Sequence, residues 1–351
     1  MTRATATTTC ALVLVFLVPF AIAQQYTIAD LGALSGDTYS AGLGINFFGH
    51  VAGCSGVANY QCANYNIGPY GHAFLVEHTG MVQLPAPGSD TSLGLAINDR
   101  DEVVGEANLS TLGFHAVLWT EKDGIKDLGT LPGGAVSGAL GINDSGSIAG
   151  FSAYEPQSAQ NFHAVLWSSE GMKDLGTLPG GNYSQATALN LFGKVVGNSD
   201  NAALNDHAFL WTEPDGMQDL GVLPGGTSSY ATGINNLDEI VGYSNYSDNY
   251  NSYHAVIWTQ KEGIKELAPP GDCYALAIND LGTIVGSCGG AVLWNRKGEM
   301  KNLNLLIPPN SGWDLIRASA INIRGQITGA GTINGETHAF LLTPSIPHPQ
   351  Q

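Results

Sequence analysis

Histidine, cysteine, carboxylate and tyrosine side chains are the groups in this 351-residue chain that could ligate a metal, activate a nucleophile or grip a ligand. Six histidines, His72, His115, His163, His207, His254 and His338, each open a His-Ala-Phe/Val segment. A zinc site needs ligands that converge on one ion. One histidine per segment with no H-x-x-x-H pair therefore predicts a scaffold duty, in which each ring satisfies nearby backbone groups, and neither a metal nor a cofactor is expected. Four cysteines, Cys54, Cys62, Cys273 and Cys288, lie beyond residue 23 without C-x-x-C spacing, so two disulfides are expected, Cys54 with Cys62 and Cys273 with Cys288 across a hairpin. The repeated Leu-Pro-Gly-Gly lacks a following P-loop Lys-Ser/Thr, and no G-x-S-x-G elbow or Cys-His pair is present, so no catalytic residue is assigned.

The elements that must position these groups are set by repetition. The pattern [IL]-N-x-x-[GD]-x-[VI]-x-G occurs seven times, with asparagines at Asn46, Asn98, Asn143, Asn190, Asn235, Asn279 and Asn322. Asn suits the first position of a type I turn, and the residue three further on must accept a left-handed conformation, which Gly does freely and Asp101 and Asp238 tolerate. The His-Ala segment is apolar enough for a buried strand and ends in Trp five times; a tight turn such as Asp123-Gly124 and an Asp-Leu-Gly strand follow it. Four strands per unit, repeated radially, predict an all-β, seven-bladed β-propeller of four antiparallel strands per blade. The lone strand Tyr26 to Gly32 is expected to close the last blade. The small residues before each asparagine, as in Ala231-Thr232-Gly233-Ile234, favour that strand as the innermost; a phasing with the His-Ala strand innermost also fits the sequence.

These recurring His-Ala-Phe/Val-Leu-Trp, Asp-Leu-Gly-x-Leu-x-Gly-Gly and Ile-Asn-x-x-Gly-x-Val-x-Gly segments resemble the HAF-repeat family of extracellular bacterial repeat proteins over essentially the whole mature chain. The resemblance implies secretion and a repeat fold and transfers no catalytic residue. Arg3, an apolar run from Ala11 and the triplet Ala21-Ile22-Ala23 read as a signal peptide over 1–23, too short and Pro-interrupted for a membrane anchor. The propeller is then 24–344 and a short tail 345–351, with the mature protein secreted to the extracellular space or periplasm. Acidic residues outnumber Lys plus Arg by 30 to 13, which excludes a general grip on nucleic acid or anionic lipid.

Functional groups on a repeat scaffold should sit where the repeat breaks. The connections between each closing Gly and the next His position run from 3 to 18 residues, differ in every copy and share one face with the Leu-Pro-Gly-Gly connectors. They contain Tyr60, Tyr65, Tyr70, Tyr154, Tyr243, Tyr246, Tyr250 and Tyr253, interleaved with asparagines; Tyr39, Tyr183, Tyr230 and Tyr274 lie on the same face. Rigid aromatic and amide side chains of this kind predict ligand binding without catalysis, with an extracellular glycan favoured over a protein. Two alternatives stand beside this: a polysaccharide lyase or hydrolase using Asp37, Asp90, Asp206, Asp272 or Glu336, and a structural or adhesive surface protein.

Overall fold

A computed structural model describes residues 25–57, 71–78, 80–87, 91–109, 113–155, 161–246, 252–267 and 271–345. The leader expected over 1–23 lies outside them, as do Cys62, Tyr60, Tyr65, Tyr70, Asp90 and Tyr250. Among the described residues there are 28 strands, one short 3-10 turn at Leu303–Leu305 and no α-helix, and no helix is long and apolar enough to cross a membrane. The fold is all-β and β-propeller-like, assembled from four-stranded antiparallel units.

The second unit shows the pattern: Ser92–Ile97, Val103–Asn108, Phe114–Thr120 and Gly124–Asp127 pair in that order. The first strands of the other units are Tyr39–Ile45, Ser137–Ile142, Ser184–Leu189, Ser229–Ile234, Cys273–Ile278 and Asp314–Ile321. Each packs against its counterparts in the neighbouring units, the last against the first. All of them contribute to one cavity of about 1180 Å³, through Leu43, Leu95, Leu140, Thr187, Thr232, Leu276 and Ser319 among others. The small-residue strand is thus innermost, because Gly and Ala let neighbouring backbones approach where the strands crowd: a Cβ at Gly44 would stand 3.0 Å from the Cα of Ala96 in the next unit.

In the last unit, Asp314–Ile321, Ile327–Ile333 and Glu336–Pro344 are joined by the N-terminal strand Tyr26–Gly32, which pairs antiparallel with Glu336–Pro344 from Tyr26↔Pro344 to Gly32↔Ala339. The termini complete one unit between them. A single parallel pairing, Tyr39↔Thr337, ties this unit to the first.

Each turn asparagine does more than form its turn. Asn46 Oδ1 accepts the amides of Phe48 and His50, and its Nδ2 donates to the carbonyl of Asn98 in the next unit. Asn98 donates to Asn143, Asn143 to Asn190, Asn190 to Asn235, Asn235 to Asn279, Asn279 to Asn322, and Asn322 back to Asn46, over 2.9–3.3 Å. Each of these buried amides has both its oxygen and its nitrogen hydrogen-bonded, and the chain of bonds has no end. Asp101 and Asp238 adopt φ of 58° and 62°, as expected for stand-ins at a glycine position.

A second set of links runs through serine. Ser137 Oγ accepts from Ala116 N of the preceding unit and donates to Gly129 O; Ser184 and Ser229 repeat both bonds. The aligned tryptophans are inter-unit core: Trp167 packs with Val104 and Ala116 of the unit before its own. Trp313, outside the aligned tryptophan positions, is half-buried against Phe340.

Candidate functional site

The repeated histidines pair with carboxylates and not with the backbone groups expected. His115 Nδ1 lies 3.0 Å from Asp127, His163 2.9 Å from Asp174, His207 2.8 Å from Asp219, His254 2.6 Å from Glu266 and His338 2.9 Å from Asp30. The aspartate of Asp-Leu-Gly thereby ties the third strand to the fourth while its Oδ1 accepts the amide two residues on, as Asp219 does from Gly221. One unit departs at both positions, Gly290 replacing His where Asn302 replaces Asp; the first unit keeps His72 but has Gln83 in its own fourth strand, so the ring turns to Asp37 at 3.0 Å. None of these rings belongs to a cluster of three or more potential metal ligands among the described residues.

One group of potential metal ligands does come together among the described residues, His50, Glu77 and Asp101 on the asparagine-turn face. His50 Nδ1 sits 2.7 Å from Asp101. Lys194 of the fourth unit and Asp238 of the fifth hold the same two positions three units further on, also at 2.7 Å. Because a protonated lysine cannot ligate a metal, the shared arrangement is a clasp between a basic residue of one unit and the aspartate of the next.

The opposite end of the cavity, where the connectors run, is chemically different. Its row of repeat-breaking side chains lies in the strands, at the x of Ser-x-Ala and the x that follows each closing Gly. These pair across the first two strands as Leu93↔Glu106, Gly138↔Phe151, Gln185↔Asn198, Tyr230↔Tyr243, Tyr274↔Ser287 and Arg317↔Ala330. Sizes compensate: a Cβ at Gly138 would collide with Phe151 and with the Glu106 carboxylate of the previous unit. Reading only the connections overlooked this row; comparing the units column by column exposes it.

Tyr243 and Tyr253, expected in a loop, are strand residues in Ile240–Asn245 and Tyr253–Thr259, because pairing runs on past Gly242: Tyr243 and Ser244 meet Tyr230 and Ser229, and Asn245 meets Tyr253. Tyr230 stacks on Tyr243 at 5.0 Å, and Tyr243 meets Tyr253 and Tyr274 edge-on at 5.2 and 5.0 Å. Tyr246 is exposed and lies parallel to His254 at 5.5 Å, and Tyr154 packs on His163 at 4.3 Å. The rings therefore mostly support one another, leaving hydroxyl, amide and carboxyl groups to line the cavity with Gln185, Asn198, Asp200 and Asp206.

Tyr230 donates to Asp206 Oδ2 at 2.8 Å and Tyr183 to Gln185 Oε1 at 3.1 Å. Burial lifts the Asp206 carboxyl above its ordinary range, the Tyr230 hydrogen bond partly offsetting it. Burial and then the Asp206 charge push Tyr183 up to about 12, and burial raises Tyr230 further. These phenols stay neutral and offer hydrogen bonds; they do not supply a tyrosinate base. Asp200 Oδ1 accepts the amides of Asn182 and Tyr183, each at 2.7 Å, a duty that the uncharged Asn245 performs in the next unit for Thr227 and Ser228. Of the carboxylates named for an enzyme, Asp206 lines the cavity, while Asp37 is bound to His72 and Glu336 lies 3.4 Å from His338. They do not assemble into one site.

Cys273 and Cys288 are directly opposed on paired strands and form a disulfide. Cys273 occupies the place of the linking serine in other units. Cys54 is buried and disulfide-bonded, with its expected partner Cys62 outside the described residues.

No protein-family model matches the chain, and no curated protein does. Solved structures similar to it include a protein assigned to TolB from Agrobacterium tumefaciens, with 11% identity and a TM-score of 0.43 over 57% of this chain and 76% of that one. Another is a puromycin hydrolase mutant complexed with PGG, with 12% identity and a TM-score of 0.46 over 74% of this chain. The present chain covers 46% of that hydrolase.

Proposed function

We propose that the mature chain is a closed, seven-bladed β-propeller of the HAF-repeat kind, exported after loss of residues 1–23, that binds an extracellular glycan at the connector-face end of its central cavity. The endless asparagine cycle supports the closed ring. The observation that carries the binding reading is where the repeat breaks: one end of a shared cavity gathers neutral tyrosine hydroxyls, the amides of Gln185 and Asn198, and Asp206, while the other is uniform. A hydroxyl-rich ligand needs paired donors and acceptors in rigid array, and tyrosines locked against one another lose little entropy when they engage it. Tyr246, exposed beside His254, extends the surface for longer chains.

The test is a screen of the secreted protein against soluble polysaccharides by affinity electrophoresis, with the products of each incubation analysed. Retardation by a glycan without cleavage is expected. Shortened or unsaturated products would favour the lyase or hydrolase reading, for which Asp206 is the one cavity carboxylate with a raised pKa. Retardation by none of the glycans, with a protein ligand recovered at the same face, would replace the glycan.

A further inference from the structure

Among the described residues Arg317 is the lone cation lining the cavity. It stands in the repeat-breaking row of the last unit, opposite Ala330, so no acid faces it across the strand pair. Its Nε is buried and has no hydrogen-bond partner. The other described arginines are engaged: Arg100 with Glu102 at 2.6 Å, Arg296 with Glu239 at 3.7 Å, and Arg324 over the Phe47 ring at 5.7 Å. A cation half-withdrawn from water without a counter-charge is costly, and in a chain with 30 acidic side chains an internal partner was available to evolution. An anion arriving with the ligand accounts for its absence.

We propose that Arg317 is the anion anchor of this cavity and that the ligand is an acidic glycan, carrying a carboxylate or sulfate on its sugar rings. This rests on the reading of the cavity as a glycan site. The guanidinium presents paired N–H donors that match either oxyanion. Asp206 and Asp200 belong to the fourth unit and Arg317 to the seventh, so the cavity is polarised. The acidic substituent is drawn to the side of Arg317, where Ser287 and Ser319 also line the wall, and the hydroxyls go to the side of Asp206, Gln185 and Asn198. Arg317 also acts on its surroundings already, its charge opposing the rise that burial imposes on the Tyr39 phenol.

The experiment is titration calorimetry of the secreted protein with three oligosaccharide probes of matched length: oligogalacturonate for the carboxylate, κ-carrageenan oligosaccharide for the sulfate, and maltooligosaccharide as a neutral chain. Parent, R317Q, R317K and K122A, the last on the opposite face, are compared with their melting temperatures. Binding of at least one acidic probe in preference to the neutral one is expected, with a loss of about tenfold to a hundredfold in R317Q, a smaller loss in R317K and none in K122A. Which acidic probe binds identifies the oxyanion. Should R317Q melt early, R317K, which keeps the charge but not the fork, carries the comparison. Equal affinity for the neutral probe, or acidic binding unchanged in R317Q or lost equally in K122A, would overturn the anchor and leave the glycan reading in place. Binding of none of the three with retardation by another neutral glycan would do the same; no glycan binding at all would remove both.

Discussion

The two ends of the central cavity are built by the same strands and have opposite characters. At the asparagine-turn end every unit places the same amide in the same role, and the bond from each turn amide to the turn carbonyl of the next unit recurs from unit to unit. At the connector end the equivalent row reads Leu, Gly, Gln, Tyr, Tyr and Arg along the first strands from the second unit onward. Repetition is the mark of a structural duty, because identical units meeting identical neighbours need identical links; a ligand, which lacks the symmetry of the repeat, needs unlike groups at unlike positions. The difference between the ends thus separates what holds the fold from what the fold holds.

Removing Tyr26–Gly32 should do the most damage, since it bares Glu336–Pro344 as an open edge and removes Asp30 from His338. Aggregation on secretion, or a melting temperature far below the parent, is expected in size-exclusion chromatography and calorimetry. A truncated protein that melts like the parent would show that the last unit does not need the N-terminal strand.

The regular end can be dissected with a built-in control. Asn235 and Asn295 both accept two amides of their own turn and donate to a glutamate, but only Asn235 is buried and also donates to the next unit, through Asn279 O. Asn235→Ala should cost about 3 kcal/mol and Asn295→Ala about 1 kcal/mol in denaturant unfolding, the difference being the link between units and the penalty for burying unpaired groups. Equal losses would mean that the cycle of amides adds nothing beyond the turns.

Glu106 belongs to the irregular row and is 9% exposed, with burial pushing its carboxyl up to about 7. A raised carboxyl binds its proton more tightly in the folded chain than in the unfolded one. Stability is therefore lost as pH rises from about 4.5 to 7, on the order of 3 kcal/mol at the upper end. Glu106→Gln should match the parent near pH 4.5 and be the more stable at pH 8; parallel melting curves at both values would show that Glu106 ionises without cost. His207→Ala should cost less, about 1 kcal/mol, because its partner Asp219 stays partly exposed and keeps the Gly221 amide. It should leave ligand affinity unchanged.

Much of the frame was legible in the sequence. The motif spacing fixed the four-strand unit, the Gly and Ala before each asparagine pointed to the inner strand, and the lone Asp-Leu-Gly near the N-terminus announced the closing pair. The histidine partners were legible only in hindsight, from the unit where Gly290 and Asn302 change together. The asparagine cycle was not, since each bond joins residues 43 or more apart in sequence and depends on how units stack. Tyr243 and Tyr253 were misplaced because the repeat motif ends at Gly242 while strand pairing, which needs no particular side chains, runs on. Arg317 escaped notice because the search for variation looked between the strands and the variation that lines the cavity is within them.

The claim that the irregular end is the binding end is tested most directly by paired isotherms with whichever glycan retards the parent. Gln185→Ala with Tyr246→Ala alters the connector end, and Lys122→Ala with Glu262→Ala alters exposed turns at the other, all four side chains lying outside the core. The first pair should weaken binding about tenfold, and the second should leave it within about twofold, with melting temperatures unchanged. Affinity lost through Lys122 and Glu262 but untouched by Gln185 and Tyr246 would contradict the assignment.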